Sequence, residues 1–139
     1  MSDRKVLVRE FVDAVMSEGD VAATDRYLDA SFVDHQPFPG HPGTRDGFKA
    51  GLAEMRAAFP DLRVNVEDVI EEGDKIALRV VMTGTQTGGF MGAPPSGRTI
   101  RVEGIDVVRV CAGKMVEHWG LMDTPTMLEQ LGIGAPPPA

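Results

Sequence analysis

The chain has 139 residues, which fits a single domain with a substantial core. Apolar residues make up 42% and charged residues 25%, a composition typical of soluble globular proteins. The formal net charge of -7 disfavours nucleic acid or an anionic membrane as partner, and no apolar run reaches the ~18 residues needed to span a bilayer. The charged N-terminus, MSDRKVLVRE, lacks an apolar signal core, so we expect a cytoplasmic protein. The single Cys111 excludes an internal disulfide.

The first half of the chain is predicted to be helical. An apolar stripe at helical spacing predicts a helix from Lys5 to Met16, with Asp3 able to cap its start. Asp20 is suited to cap a short second helix that reaches Leu28, and Thr44 is suited to cap a third. Between the second and third helices, the Pro- and Gly-rich segment ASFVDHQPFPGHPGTRDG predicts a very short strand followed by a loop.

The second half is predicted to form four antiparallel strands. Their sequences are LRVNVEDVIEE, KIALRVVMTGTQT, TIRVEGIDVVRV and KMVEHWGLMD, each separated from the next by turn or loop residues. A terminal helix follows from Thr124. Helices followed by a meander predict an α+β domain over residues 1–132, in which the helices cover one face of a curved sheet and leave an apolar pocket at its open end. Residues 133–139 are expected to be a flexible Pro-rich tail.

The last hairpin determines which residues share a face of the sheet. A two-residue loop would require a positive φ at Ala112, so the sequence favours a three-residue loop, Cys111-Ala112-Gly113. That register places Trp119 and Asp123 together on one face. His118 lies on the other face with Asp106.

The Trp119 face is expected to line the pocket, with Asp123 at its end. Desolvation beside a tryptophan raises the pKa of a carboxyl group, which suits an acid or base near neutral pH. The alternative is that Asp123 only caps the terminal helix. His118 would reach the same pocket through a bulge near Gly120, or would form a structural pair with Asp106 across the strands.

The loop FVDHQPFPGHPG forms a second polar cluster. His35 and Gln36, flanked by Phe32, are candidates to contact a ligand at the mouth of the pocket. The alternative is that Asp34 and His35 hold the loop together through hydrogen bonds. No paired ligand spacing supports a metal site, so none is expected.

Three segments together resemble the SnoaL-like polyketide cyclases and predicted ester cyclases of the nuclear-transport-factor-2-like superfamily. They are FVDHQPFPGHPGTRDGFKAGLAEMRAAFPDLRV, GTQTGGFMGAPPSGR and VEGIDVVRVCAGKMVEHWGLMD. The resemblance implies a cone-shaped α+β barrel with a deep apolar pocket. It also implies a homodimer or homotetramer that packs through the outer face of the sheet.

The resemblance further implies an intramolecular aldol condensation on an apolar carbonyl compound, without metal or cofactor. Asp123 would be the acid/base, assisted by His118 and His35. The expected substrate contacts are Trp119, Gln36, Phe32, Arg109 and Gln86. Gln86 stands where relatives often carry a histidine, and glutamine cannot shuttle a proton. Other members of the superfamily are isomerases, dehydratases, epoxide hydrolases or non-catalytic binders of hydrophobic ligands, so these remain alternatives.

Overall fold

The helices cover one face of a mixed sheet in the computed structural model, which describes residues 2–134. The α-helices are α1 (Asp3–Phe11), α2 (Thr24–Tyr27), α3 (Arg45–Ala58) and α4 (Thr124–Leu131). The strands are β1 (Leu28–Asp34), β2 (Arg63–Glu72), β3 (Lys75–Thr85), β4 (Thr99–Cys111) and β5 (Lys114–Met122). None of the helices in the described part of the chain is long and apolar enough to cross a membrane.

The N-terminal helical region differs from the prediction in its capping residue and in the type of helix that follows α1. The hydroxyl of Ser2, not the carboxylate of Asp3, caps α1 by accepting a hydrogen bond from the Lys5 amide at 3.2 Å. After α1 the backbone continues as a π-helix over Val12–Ser17. Two other predicted caps are confirmed: Asp20 accepts from an amide of the short 3-10 helix before α2, and Thr44 caps α3.

The sheet has the order β1-β5-β4-β3-β2. Strands β2 to β5 form the predicted antiparallel meander. Strand β1 is longer than expected and pairs in parallel with β5, which places Asp34 beside His118. The buried core lies between this sheet and the helices, and Leu28, Leu52 and Phe59 are among its fully buried side chains.

The β4–β5 hairpin contradicts the predicted three-residue loop. Cys111 pairs with Lys114, so the loop has only two residues, and Ala112 adopts a φ of 50° beside Gly113 at 75°. These positive angles fit a type I′ turn, whose twist matches that of the flanking strands. This match outweighs the conformational cost of a positive φ at Ala112. A bulge then shifts the register between Arg109 and Val110.

The C-terminal helix is capped at both ends. The carboxylate of Asp123 accepts hydrogen bonds from the amide and the hydroxyl of Thr126, at 3.2 and 2.6 Å. Gly132, with a φ of 72°, ends the helix in the left-handed conformation that glycine favours. Of the predicted flexible tail, residues 135–139 lie outside the described residues.

Candidate active site

A cavity of about 1000 Å³ lies between the helices and the inner face of the sheet. Most of its wall is apolar and comes from α1, α3, α4 and the sheet, with Phe32 among the lining residues as predicted. Its polar lining side chains are Asp34, Gln36, Glu54, Asp106, His118 and Thr124. The cavity can therefore enclose an apolar molecule while presenting a few polar groups to it.

Three of these polar groups form one hydrogen-bonded cluster centred on His118. Nδ1 of His118 lies 2.7 Å from Oδ1 of Asp34, and Nε2 lies 2.8 Å from Oδ1 of Asp106. The Asp34 side chain is only 5% exposed, whereas those of His118 and Asp106 are 20% and 25% exposed. The carboxylate of Asp106 is thus the more accessible end of the cluster.

The backbone of the sheet determines these positions. Asp34 is the last residue of β1 and is paired with His118 of the parallel strand β5. Asp106 of β4 lies opposite Gly120 of β5. Because Gly120 has no side chain, the carboxylate of Asp106 can cross that position to reach the imidazole. A Cβ atom there would overlap Asp106 Oδ1 and lie 2.8 Å from His118 Nε2.

The two carboxylates keep the imidazole protonated. Burial alone would lower the pKa of His118, because desolvation disfavours the charged ring. Hydrogen bonds with Asp106 and Asp34, together with their negative charges, outweigh that effect and raise the pKa to about 9. At neutral pH the cluster is therefore an imidazolium that donates one hydrogen bond to each carboxylate.

Gln36 contributes an oriented amide to the same end of the cavity. Its Oε1 accepts a hydrogen bond from the Gly120 amide at 2.8 Å, and its own backbone amide donates to Asp34 Oδ1 at 3.0 Å. Since Oε1 is used in this way, the Nε2 group points away from Gly120, and it donates no hydrogen bond within residues 2–134. Gln36 thus lines the cavity as predicted, with a free donor.

Trp119 lies on the outer face of the sheet, which contradicts its predicted place in the pocket. Its ring stacks on His35 with centroids 5.0 Å apart, and Nζ of Lys75 lies 5.4 Å from its centroid. Trp119, Glu117 and Arg109 were correctly predicted to share a face. The apolar middle of that face suggests the inner side of the sheet, but the structure places it on the outer side.

His35 and Arg109 also belong to this outer cluster. Nε2 of His35 lies 2.7 Å from Glu117, and this hydrogen bond is the main cause that lowers the pKa of the Glu117 carboxyl group. Arg109 forms ion pairs with Glu117 at 3.1 Å and with Asp74 at 2.8 Å. Neither side chain lines the cavity, so their predicted catalytic and substrate contacts do not fit the structure.

Asp123 is exposed and caps α4, which was the alternative interpretation of the sequence. It lines a smaller depression, together with Ile105 and Leu121, and does not line the large cavity. The expected desolvation beside Trp119 is therefore absent, and with it the physical reason for assigning the acid/base role to Asp123.

Gln86 is fully buried but lies outside the cavity. Its Nε2 donates to the carbonyl oxygens of Gly88 and Pro94, and its Oε1 accepts from the hydroxyl of Ser96 at 2.6 Å. The predicted contact with substrate is wrong because the loop after β3 uses the whole amide.

Comparisons with known proteins agree with this architecture. Residues 6–131 match the family model of the SnoaL-like polyketide cyclases. The chain belongs to this family. Its curated relatives include the aklanonic acid methyl ester cyclases DauD of Streptomyces sp. strain C5 and DnrD of Streptomyces peucetius. Each is 28% identical over 99% of this chain, which corresponds to 87% of DauD and 97% of DnrD.

Solved structures of two Streptomyces proteins share the fold. IdmH of Streptomyces antibioticus, a candidate polyketide cyclase, is 32% identical with a TM-score of 0.83 over 95% of this chain and 100% of its own. AclR of Streptomyces galilaeus, a candidate hydroxylase, is 29% identical with a TM-score of 0.84 over 95% of this chain and 97% of its own.

Sequence reasoning identified His118 but not the two carboxylates that hold it on the inner face. The sequence suggests Asp106 only as a structural partner of His118, and Asp34 only as a residue that stabilises its loop. The alternation of β4 carried a usable signal, because Asp106 shares a face with the buried residues Val108 and Val110. An aspartate in an otherwise apolar row is a candidate for function.

Proposed function

We propose that this SnoaL-like protein is a cofactor-independent cyclase that closes a ring in a polyketide ester by intramolecular aldol condensation. The observation that supports this most directly is the Asp34–His118–Asp106 cluster in the wall of a large apolar cavity. Similarity to the aklanonic acid methyl ester cyclases supports the substrate class.

Asp106 is the proposed base. Its carboxylate is accessible from the cavity, while the imidazolium of His118 holds one of its oxygens at 2.8 Å. The second oxygen takes a proton from a carbon next to a carbonyl group, which produces an enolate. The enolate carbon then bonds to a ketone carbon of the same molecule, and the ketone oxygen takes the proton held by Asp106 to become a hydroxyl group, which restores the carboxylate. The product is an isomer of the substrate.

Gln36 and Asp34 have supporting roles in this proposal. The free Nε2 group of Gln36 donates to the developing enolate oxygen, an arrangement that stabilises charge because the donor is already oriented by Gly120. Asp34 is nearly buried, so it fixes the ring of His118 and keeps it charged without reaching the substrate itself.

The charges along the cavity wall favour a neutral ester over a free acid. The ionisable residues of the lining are Asp34, Glu54, Asp106 and His118, and no lysine or arginine among the described residues joins them. A substrate carboxylate would meet the acidic side chains of Asp106 and Glu54, while both N–H groups of the His118 imidazolium are already used. Like charges placed together cost several kcal/mol, so the ester is expected to be preferred by at least ~100-fold.

Hydroxylation is the second candidate, because the similarity to AclR is as extensive as that to IdmH. The two reactions differ in the composition of their products. An aldol cyclisation keeps the molecular mass of the substrate, whereas hydroxylation adds an oxygen atom and requires O2 and a reductant as co-reactants.

We also propose a homo-oligomer that forms through the outer face of the sheet. Three large apolar side chains of the strands, Ile70, Ile105 and Leu121, are mostly exposed there, Leu121 by 77%. Apolar groups clustered on one face commonly mark an interface. The cytoplasmic location, and the absence of a metal or cofactor from the reaction, stay predictions.

The proposed function is tested by incubating the purified protein with aklanonic acid methyl ester and, separately, with the corresponding free acid. Products are analysed by liquid chromatography and mass spectrometry, with a protein-free sample as control for spontaneous ring closure. We expect an isomeric product from the ester and at least ~100-fold slower conversion of the acid. Absence of turnover, or equal rates for the two compounds, would contradict the proposal.

A further inference from the structure

The loop between β3 and β4 reaches the mouth of the cavity as a short hairpin. Phe90 and Ala93 exchange backbone hydrogen bonds of 3.0 and 2.9 Å across the two-residue turn Met91-Gly92. Gly89, Phe90 and Met91 line the cavity, yet Met91 is 56% exposed. Met91 therefore stands at the rim, where one side of its side chain faces the interior and another faces solvent.

Gln86 forms hydrogen bonds with both arms of this hairpin at its base. Its side chain binds Gly88 on one arm and Pro94 and Ser96 on the other. Its backbone adds bonds to Arg98 and Gly97, at 2.9 and 2.8 Å. A single buried residue thus joins the two arms of the hairpin through hydrogen bonds that involve no ligand.

Two contacts with the C-terminal end of α3 complete the attachment. The amides of Thr87 and Gly88 both donate to the carbonyl of Ala58 at 3.1 Å. The ring of Phe90 packs edge-on against the fully buried Phe59, with centroids 5.3 Å apart. The tip of the hairpin is consequently fixed relative to the cavity wall, and Met91 is presented from a rigid support.

The turn does not require a methionine at position 91. Met91 has a φ of 51°, a left-handed conformation that disfavours a residue of this kind. Asparagine or glycine would occupy this turn position more easily. A half-exposed apolar residue in a disfavoured conformation, at the mouth of an apolar cavity, points to a contact that only the ligand completes.

We propose that Met91 is a specificity-determining residue that contacts the apolar end of the substrate at the cavity mouth, and that Gln86 is the positioning residue that holds it there. The identity of the ligand in this inference rests on the proposed function. This contact predicts selectivity for substrates that carry an apolar alkyl or aromatic group at the end remote from the reacting carbonyls.

Met91→Asn tests the contact without weakening the fold. The variant creates Asn-Gly, the pair that type I′ turns prefer, so its stability should equal or exceed that of the wild type. Ala112→Asn creates the same pair in the β4–β5 turn, which does not line the cavity, and serves as the matched control. Thermal unfolding of both variants establishes that the protein remains folded.

Binding is measured with two probes, aklanonic acid methyl ester and the neutral apolar dye N-phenyl-1-naphthylamine. Met91→Asn should raise KM for the ester and Kd for the dye by roughly fivefold to tenfold, the effect of losing about 50 Å² of apolar contact. Ala112→Asn should change neither. Values for Met91→Asn within twofold of the wild type for both probes would overturn the inference. If the wild type binds the dye but does not convert the ester, the proposed function fails while the rim is still tested by the dye.

Gln86→Leu tests the anchor. Losing its three side-chain hydrogen bonds should raise KM for the ester while kcat stays within about twofold, since the cluster around His118 is untouched. Hydrogen exchange at the Phe90, Ala93 and Gly97 amides should accelerate in this variant. A fall of kcat as large as the rise in KM, or unchanged hydrogen exchange at these amides, would refute the positioning role.

Discussion

The raised pKa of His118 predicts that the stability of the fold decreases as the pH rises past neutrality. The folded protein holds this proton with a pKa of about 9, above the ordinary value of 6.5, because two carboxylates surround the ring. The proton therefore stabilises the fold fully below pH 6.5, and this contribution is lost as the pH rises through about 9. A difference of this size corresponds to at most ~3 kcal/mol of unfolding free energy.

The measurement is urea unfolding at a series of pH values from 6 to about 10, followed by circular dichroism and by the fluorescence of Trp119, the only tryptophan. His118→Gln is the control, since glutamine does not titrate in this range. Its unfolding free energy should be lower near pH 6 and should change less with pH than that of the wild type. Equal pH dependence in the two proteins would refute the assignment of the buried proton to His118.

Further predictions concern Gly120, the outer face and Gln36. Gly120→Ala should lower kcat by at least ~100-fold, because a methyl group would displace Asp106 and His118 from each other, and steady-state kinetics on folded protein checks this. Leu121→Glu should convert an oligomer into a monomer in light scattering, and a wild-type protein that is itself monomeric would contradict the proposed interface. Gln36→Leu should lower kcat by ~10- to 1000-fold through loss of the enolate donor, and unchanged kcat would remove Gln36 from the mechanism.

The elements of the fold were largely predictable from local patterns. Apolar periodicity and capping residues such as Thr44 predict the helices, and alternation predicts the meander. The parallel pairing of β1 with β5 was not predicted, because it joins residues distant in sequence and no local sequence pattern indicates it. That pairing is what brings Asp34 to His118.

The site was predicted less well because its geometry depends on one hairpin and on which face is inner. The preference against a positive φ at Ala112 predicts a loop that is one residue too long. The bulge near Arg109 shifts the register by one residue again, so most residues still lie on the same face as predicted. The sequence also suggests the wrong face for Trp119. Its apolar ring suggested burial inside, but stacking on His35 and contact with Lys75 stabilise it on the outer side.

The central claim is that Asp106 is the base, and the paired variants Asp106→Asn and Asp123→Asn test it most directly. Both replace a carboxylate with an amide of the same shape, and asparagine also serves as an N-cap, so α4 should persist in the second variant. With the ester as substrate, Asp106→Asn should lower kcat by ~100- to 10,000-fold, whereas Asp123→Asn should stay within about twofold of the wild type. The reverse pattern, with activity lost in Asp123→Asn and kept in Asp106→Asn, would contradict the claim.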